Sequence, residues 1–445
     1  MAKYQAYAEY KDSGVEWLGE IPSHWFLKKH KYIAEFSKGK NPELLFDNYS
    51  DGLYPYLSMD SLRGKTDSKY AEYKKGLVLV QDNQPLIIWD GSNSGEFVLG
   101  RKGLLSSTMA SACLIYEIQD KYYWYLCVCI EPEMRKHATG MGIPHVNGEE
   151  LRGIVLPLPE LNEQTQIAKF LDHETTKIDH LIEKQHQLIE LLKEKRQAVI
   201  SHAVTKGLNP NVPMKDSGVE WLGEVPEHWV VAQLKFNTLE MQTGPFGSQL
   251  HAEDYVEDGI PLINPAHMVN GKLVPDSKIT VDEETQMRLC RHKLSEGEII
   301  FARRGELGRC AIVKKEHEGW LCGTGSLKAK LNKKLLPEYA YLLITSDGLI
   351  AELSLESKGS TMDNLNTETL GKVRTPVPPI NEQLEILEYV EKVSGKFKKL
   401  IENAESAIQL MQERRTALIS AAVTGKIDVR HWQSPTVGAH TELSA

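Results

Sequence analysis

Residues 162–208 read NEQTQIAKFLDHETTKIDHLIEKQHQLIELLKEKRQAVISHAVTKGL, and residues 381–427 read NEQLEILEYVEKVSGKFKKLIENAESAIQLMQERRTALISAAVTGKI. The two stretches align without a gap at a shift of 219 residues, from the shared NEQ to the shared IS and VT near their ends. Each has the pattern of one long helix, and about 45 helical residues rise roughly 65 Å. Because so long a helix cannot hide an apolar stripe inside one small domain, we predict that the two helices pack against each other.

Both stretches place apolar residues at alternating steps of four and three, which is the spacing of a coiled-coil seam. These positions are Ile167, Leu171, Ile178, Leu181, Leu188, Leu192 and Val199 in the first stretch, and Ile386, Val390, Phe397, Leu400, Ala407, Met411 and Leu418 in the second. The sequence predicts that they form the contact between the two helices. The alternative is that each helix packs separately on its own domain. Gly395 interrupts the second stretch and costs about 1 kcal/mol relative to alanine.

A second repeat, KDSGVEWLGEIPSHW at residues 11–25 and KDSGVEWLGEVPEHW at residues 215–229, precedes each variable region. Its Trp, Gly and Pro residues predict an irregular segment that packs a domain onto a helix; we call the two copies the clip segments. In the variable regions, β-like runs alternate with Gly, Asn, Ser and Asp clusters, which predicts mixed, strand-rich domains. The predicted order is a clip (1–25), a domain (26–160), a helix (161–208), a clip (209–229), a domain (230–379), a helix (380–427) and a loose polar tail (428–445).

The predicted fold class is therefore α+β, with two strand-rich domains separated by a pair of long antiparallel helices and related by an internal pseudo-two-fold repeat. Two domains of different sequence that are related by such a two-fold axis suit the recognition of duplex DNA, whose strands are themselves related by two-fold axes. The 52 Lys and Arg residues against 61 Asp and Glu give a formal charge of −9. That balance is unusual for a nucleic-acid binder and requires basic residues to be concentrated on small patches, or a partner to supply phosphate contacts.

Targeting and metal signals are weak in this sequence. The first residues lack the apolar core of a secretory signal, and the most apolar run is too short to span a bilayer, so we expect a cytoplasmic protein. The six cysteines show no paired CxxC spacing. We therefore expect structural, reduced cysteines and no metal site.

The duplicated WLGE-(I/V)P-x-HW segment, the prolines followed by NEQ and a long helix, and TGPFGS at residues 243–248 resemble the specificity subunit of type I restriction-modification systems. The resemblance covers nearly the whole chain. It implies two target-recognition domains that read the two halves of an asymmetric DNA site, with the helices setting the gap and docking two methyltransferase subunits. In the nuclease form it also implies a motor-nuclease subunit. S-adenosylmethionine, ATP and Mg²⁺ would be bound by those partners, and this chain would bind no cofactor.

Exposed loops rich in Gly, small polar, amide and basic residues are the candidate DNA contacts, because backbone amides and hydroxyls suit phosphates while Arg, Asn and Gln suit base edges. In the first domain the candidates are Lys38, Lys40, Asn41, Ser92, Asn93, Ser94, Arg101, Lys102, His145 and Asn147. In the second they are Phe246, Ser248, Gln249, Arg303, Arg304, Arg309, Lys358, Ser360, Thr361 and Asn364. We expect Arg303 and Arg304 to act as a base-edge and phosphate pair, with Arg309 supporting them.

Two other function classes, an enzyme acting on DNA and an adaptor that does not bind DNA, remain open from the residues alone. A DNA-modifying enzyme would need a glycine-rich cofactor loop and an (N/D)PP(Y/F) strip, whereas residues 264–267 read NPAH. A nuclease would need clustered carboxylates and a lysine to hold Mg²⁺, and Asp347, Glu356 and Lys358 imitate only that spacing. A coiled-coil adaptor that does not bind DNA would explain the helices and the acidic charge, but it leaves two elaborate domains without a task.

Overall fold

A computed structural model of the chain describes residues 4–136, 144–357 and 365–434. Residue contacts divide the chain into two compact units. Unit 1 comprises Met1–Gln185 and Ser406–Ala445, and unit 2 comprises His186–Glu405. Both boundaries fall inside a long helix, so each unit contains part of each of the two predicted helices.

The elements up to the end of the first long helix alternate short strands with short helices. In order they are β1 (Tyr10–Asp12), β2 (Glu20–Pro22), β3 (Phe26–Lys29), β4 (Ala34–Lys38), β5 (Leu53–Leu57), α1 (Met59–Leu62), β6 (Tyr70–Glu72), β7 (Leu79–Val80), β8 (Pro85–Ile88), β9 (Phe97–Leu99), β10 (Gly103–Leu105), β11 (Met109–Leu114), α2 (Asp120–Lys136), α3 (Gly148–Gly153), β12 (Val155–Leu158) and α4 (Leu161–Lys206).

The remaining elements repeat this plan. They are β13 (Met214–Asp216), β14 (Glu224–Pro226), β15 (Val230–Gln233), β16 (Thr238–Thr243), β17 (Tyr255–Val256), β18 (Ile260–Ile263), β19 (Met268–Val269), β20 (Lys272–Leu273), β21 (Thr280–Val281), α5 (Glu283–Arg288), β22 (Ile299–Ala302), β23 (Cys310–Ile312), β24 (Leu321–Cys322), β25 (Ser326–Leu331), α6 (Pro337–Ile344), α7 (Asp347–Ser357), α8 (Thr367–Lys372), β26 (Arg374–Val377) and α9 (Ile380–Val423).

Each unit is built on a four-stranded antiparallel sheet of the same connectivity. The strand order is β4-β11-β8-β9 in unit 1 and β16-β25-β22-β23 in unit 2. A second four-stranded sheet, β6-β5-β10-β7 in unit 1 and β17-β21-β18-β24 in unit 2, accompanies it. The proline-marked exits form β12 and β26, which pair with β3 and β15. The predicted α+β class with two strand-rich regions and two long helices is confirmed.

The two long helices pack antiparallel within each unit. In unit 1, Ile167 and Leu171 from the start of α4 share one apolar core with Leu418 and Val423 from the end of α9. In unit 2, Val204 from the end of α4 lies in one core with Ile386 and Val390 from the start of α9. The start of one helix therefore lies beside the end of the other in each unit, which excludes the alternative of separately packed helices.

The predicted seam is correct near the helix ends and wrong in the middle. Leu181, Leu188 and Leu400 are 52%, 42% and 50% exposed. The inward positions are one residue later: Ile189 is buried, and Ile182 and Ile401 are partly buried. A straight helix of 3.6 residues per turn drifts by about 20° per heptad from the 3.5-residue repeat. Leu and Ile stand side by side at these steps, so the drift decides which of them faces inward.

The clip segments fold as small antiparallel hairpins, which corrects the prediction of an irregular segment. Strand β1 pairs with β2, and β13 pairs with β14. The loop between the strands has positive φ at Gly14 (66°) and Gly19 (59°), conformations that glycine adopts at little cost. Because the hairpin loop is seven residues long, no two-residue turn signal marks it in the sequence.

The prediction of a loose tail from residue 428 is wrong for its first residues. Val429 is buried, and the Trp432 ring lies 5.4 Å from the Phe170 ring in an edge-on contact. The Asp428 amide donates a hydrogen bond of 2.7 Å to the carbonyl of Gln5. The tail is ordered there because the amino-terminal segment and α4 supply its partners. Residues 435–445 lie outside the described residues.

Within the described residues, no helix combines the length and the apolar composition needed to cross a bilayer.

Candidate nucleic-acid interface

In unit 2, the candidate loops meet at one edge of the main sheet. The pairing of β16, β22 and β23 with their neighbours places the residues after Thr243, the residues after Ala302 and the residues before Cys310 at this edge. Backbone hydrogen bonds link the loops: the Arg303 amide donates to the Gly325 carbonyl at 2.9 Å, and the Leu365 amide donates to the Arg303 carbonyl at 2.8 Å. Segments distant in sequence are thereby held as one surface.

A glycine allows these loops to approach so closely. A Cβ on Gly244 would lie 1.8 Å from the Gly323 carbonyl oxygen, a distance that backbone could not accommodate without moving. In unit 1 a Cβ on Gly39 would lie 2.1 Å from the Ser106 carbonyl oxygen. Each of these glycines comes directly after the first strand of its main sheet, so the two units cross their loops in the same way.

Unit 1 builds the same edge with the same backbone bonds. The Trp89 amide donates to the Thr108 carbonyl at 2.8 Å, and the Val146 amide donates to the Trp89 carbonyl at 2.9 Å. Trp89 therefore occupies the backbone position that Arg303 occupies in unit 2, and Asp90 occupies the position of Arg304. The equivalence of Val146 and Leu365 matches the shift of 219 residues seen in the helices.

At this edge of unit 1, the Lys38 ammonium and the His145 imidazole both contact the Asp90 carboxylate. The Lys38 Nζ lies 2.8 Å from Oδ2 of Asp90, and the His145 Nδ1 lies 2.6 Å from its Oδ1. Partial burial opposes ionisation of Asp90, but the hydrogen bonds and charges of Lys38 and His145 outweigh it and lower its pKa. The carboxylate therefore remains ionised at neutral pH. The sequence placed Lys38 and His145 among the candidates but did not single out Asp90 or Trp89.

The three predicted arginines of unit 2 make different contacts. Arg303 is partly buried, and its Nε donates to the Leu365 carbonyl at 3.2 Å. Arg309 is exposed and donates from Nε and Nη2 to Oε2 of Glu306 at 3.1 and 2.5 Å. Arg304 is exposed, and its guanidinium has no hydrogen bond or ion pair with any other residue that the structure describes. Of the three guanidinium groups, that of Arg304 is the one that bonds none of the described residues.

Several other candidates have structural roles. The Asn147 side chain accepts hydrogen bonds from the Glu149 and Glu150 amides and caps α3. The Asn41 side chain accepts from the Tyr56 hydroxyl at 2.7 Å and from the Ser107 amide at 3.0 Å. Ser94 is buried. These contacts hold the loops that carry the exposed candidate side chains.

The remaining candidates are distributed along the same loops. Arg101 donates to the Ser61 carbonyl and ties its loop to the end of α1. Lys40, Ser92, Lys102, Ser248 and Gln249 are exposed, Asn93 is partly exposed, and Phe246 is 62% exposed. Lys358, Ser360, Thr361 and Asn364 lie outside the described residues. Among the described residues, no group of three or more His, Cys, Asp or Glu side chains is placed to hold a metal ion.

The role of the duplicated NEQ motif was not foreseen from the sequence. The Glu163 carboxylate accepts from the Trp25 indole, and the Gln164 side chain bonds the Pro159 carbonyl and the Gln119 amide. In unit 2, Glu382 and Gln383 make the corresponding contacts with Trp229 and Pro378. The two motifs that define the repeat are thus each other's packing partners, and the duplication of both motifs was the sequence signal for this contact.

The family comparison matches both repeats. The model of the "Type I restriction modification DNA specificity domain" matches this chain twice, over residues 22–191 and 239–409. The chain belongs to this family. These specificity proteins are the DNA-recognition, non-catalytic component of type I restriction-modification systems. Membership supports the interpretation as a specificity subunit over the enzyme and adaptor alternatives.

Individual relatives agree along the length of the chain. The type I restriction enzyme MjaVIII specificity subunit of Methanocaldococcus jannaschii is 28% identical over 418 residues, which are 92% of this chain and 95% of the relative. The EcoBI specificity subunit of Escherichia coli is 22% identical over 434 residues, 95% of this chain and 90% of the relative.

Solved structures agree in fold. A chain from a structural study of complex assembly and conformational transition of the type I R-M system has a TM-score of 0.61 at 14% identity, covering 91% of this chain and 98% of that chain. The HsdS subunit from Thermoanaerobacter tengcongensis has a TM-score of 0.50 at 14% identity, with 92% and 98% covered. At these identities the likeness bears on the fold alone.

Proposed function

We propose that this specificity protein is the DNA-reading subunit of a type I restriction-modification complex. We call the edge of the main sheet where the candidate loops meet the loop edge, and we propose that the loop edge of each unit reads one half of a bipartite, asymmetric site. One observation carries the proposal. The two units hold their loops with the same backbone hydrogen bonds but place different side chains on them, Trp89 and Asp90 in unit 1 against Arg303 and Arg304 in unit 2. A constant frame with unlike reading groups suits two unlike half-sites.

Basic residues at the two loop edges reconcile the proposed DNA binding with the negative net charge of the chain. The chain carries a formal charge of −9, yet Lys38, Lys40 and Lys102 in unit 1 and Arg304 and Arg309 in unit 2 are exposed on or beside these loops. Asp90 and Glu306 offset the charges of Lys38 and Arg309, which leaves Lys40, Lys102 and Arg304 as local positive charge for phosphate contact. Distant acidic residues oppose that contact little, because exposed charges more than about 8–10 Å apart are largely screened at physiological salt. Partner subunits would supply further phosphate contacts.

We assign the spacer and the partner contacts to the long helices. Apolar side chains remain exposed on both helices, including Leu181, Leu188 and Leu191 on α4 and Leu400 and Leu410 on α9. Such residues in a helix pair mark a protein contact, and two methyltransferase subunits are the proposed occupants. A motor-nuclease subunit would join them in the nuclease form. S-adenosylmethionine, ATP and Mg²⁺ would be bound by these partners.

Methyl transfer to genomic DNA separates the three function classes. The full chain is assayed alone and after co-expression with the methyltransferase subunits of its system, and methylated positions are mapped. Methylation of a two-part sequence by the complex, and not by the lone chain, supports the proposal. Activity of the lone chain would instead indicate an enzyme. Absence of methylation in both preparations, together with no binding of the complex to DNA, would favour the adaptor.

A further inference from the structure

The Lys38, Asp90 and His145 side chains form a compact cluster at the loop edge of unit 1. Residues 90 and 145 face each other through an isolated antiparallel bridge, so their side chains are neighbours by backbone geometry. Lys38 reaches the same carboxylate from the end of β4, and its Nζ lies 5.9 Å from the centroid of the Trp89 ring. Three separate chain segments therefore meet at one acidic group.

Exposure distinguishes the acid from its two partners. The Asp90 side chain is 22% exposed, whereas those of Lys38 and His145 are 46% and 53% exposed. Each partner uses one oxygen of the carboxylate, so the carboxylate lies behind them and they face solvent. An ion pair whose cation is the more accessible member is suited to present that cation to a ligand.

We propose that Asp90 is a positioning residue for sequence recognition, fixing Lys38 and His145 as the reading groups of the unit 1 half-site. This rests on the proposed function. A lysine on a flexible four-carbon stem and an exposed imidazole lose rotamer freedom on binding unless they are already held in place. By engaging Nδ1, Asp90 also sets the orientation of the His145 ring, so that Nε2 is the nitrogen that would meet a base or phosphate.

The comparison with unit 2 makes the assignment specific. At the backbone position of Asp90, unit 2 has Arg304, whose guanidinium is not paired with any described residue. At the position of Lys38 it has Thr243. The same backbone arrangement therefore presents a lysine and a histidine anchored on a carboxylate in unit 1, and in unit 2 an arginine that pairs with no described residue. These positions are where the two half-sites are expected to diverge.

The substitution Asp90→Asn tests this proposal, because a purely electrostatic role and a positioning role of Asp90 predict different effects on DNA recognition. If Asp90 only repels phosphate, removal of its charge should strengthen DNA binding. If it positions Lys38 and His145, the complex of the full chain with its methyltransferase subunits should lose about tenfold in discrimination at one half-site. The other half-site should be unaffected, and Arg304→Ala should weaken that other half instead.

A matched control and a second background exclude a general folding defect. Glu117 is an exposed carboxylate in the same unit, beyond the opposite end of β11, and Glu117→Gln should leave discrimination unchanged. In a Lys38→Met/His145→Gln background, Asp90→Asn should cause no further loss, because its partners are already gone. A structural role would still reduce discrimination there.

Two outcomes would overturn the proposal. One is unchanged or improved discrimination at that half-site by Asp90→Asn in an otherwise intact complex; the other is an equal loss of discrimination at both half-sites. Failure of the proposed function would look different, because the wild-type complex would then recognise no two-part sequence at all. The wild-type methylation map thus separates the two failures.

Discussion

The indole Nε1 of Trp25 donates a hydrogen bond of 3.1 Å to Oε1 of Glu163. This contact joins the amino-terminal clip segment to the first turn of α4. The same carboxylate accepts from the Tyr7 hydroxyl at 2.7 Å and contacts His24 Nε2 at 2.9 Å. A Cβ on Gly425, just after α9, would lie 2.3 Å from Pro22 of the same clip. The clip therefore closes the junction where one long helix begins and the other ends.

Glu163→Ala should destabilise unit 1 by about 2–4 kcal/mol, because it leaves buried donors without an acceptor. Hydrogen–deuterium exchange of α2 and of the first turns of α4 measures the effect within that unit. Glu382→Ala is the matched comparison, since Glu382 makes the same contacts with Trp229 and His228 but its side chain is 34% exposed against 8% for Glu163. Equal protection losses in the two variants would contradict the burial argument.

Arg304→Ala should weaken recognition of one half-site by about 1–3 kcal/mol, because it removes from the loop edge of unit 2 an exposed guanidinium that bonds no described residue. A methylation map of the complex measures the loss at each half. Arg303→Ala should also weaken that half, but through the loop that the Arg303 side chain holds at Leu365. Its loss should therefore be accompanied by faster amide exchange at Leu365. Degradation of both halves by Arg304→Ala would refute the assignment.

Ile189→Ala should cost about 2–5 kcal/mol, whereas Leu188→Ala should cost under about 1 kcal/mol. The isoleucine is 6% exposed and its neighbour 42% exposed, although both are apolar residues of the same helix. Denaturant unfolding followed by circular dichroism at helical wavelengths compares them directly. A larger loss from Leu188→Ala would restore the seam that the heptad pattern predicts.

Inserting seven residues into both long helices should lengthen the unread gap between the half-sites. Insertion after Gln185 and after Ala404 places the additions at equivalent positions of the repeat. Two added turns rise about 10 Å, which corresponds to about three base pairs of DNA. The half-sites themselves should not change. A methylation map with the original gap would mean that the helices do not measure it.

Acid should weaken unit 1 through His30. Its ring is buried, with Nδ1 3.1 Å from the Leu151 carbonyl and Nε2 2.8 Å from the Tyr123 hydroxyl, and burial lowers its pKa to about 4. Since the unfolded chain takes up this proton near pH 6.5 and the folded chain only near pH 4, stability is lost as pH falls between those values. The loss attributable to His30 is about 3 kcal/mol.

The comparison of wild type with His30→Gln isolates this contribution. Burial raises the pKa of Glu131 to about 7, which favours the folded state as pH falls through the same range, so the wild-type slope alone is not diagnostic. Exchange protection of α2 amides, measured from pH 7 to pH 4 in both proteins, gives the difference. Equal decline in the two would show that His30 is not the acid-sensitive group.

The loop edge was only partly predictable from its residue types. The sequence predicts Lys38, His145 and Arg304 as candidates because basic and amide side chains stand out between Gly-rich clusters. Asp90 was not singled out, because an acidic residue has no reason to be a DNA contact until Lys38 and His145 are seen on its two oxygens. Asn147 shows the reverse case: its amide is of the right type but caps a helix. Residue type in a loop does not distinguish reading groups from the frame that holds them.

The sequence by itself determined the duplication, the two long helices and their length, because a shift of 219 residues and an apolar repeat are properties of the chain alone. Only the tertiary structure decided that Ile189 and not Leu188 faces inward, and that Trp25 and Glu163 are partners. The physical reason is the same in both cases. Helical drift and side-chain hydrogen bonds depend on neighbours that are close in space and distant in sequence, and one chain's periodicity does not name those neighbours.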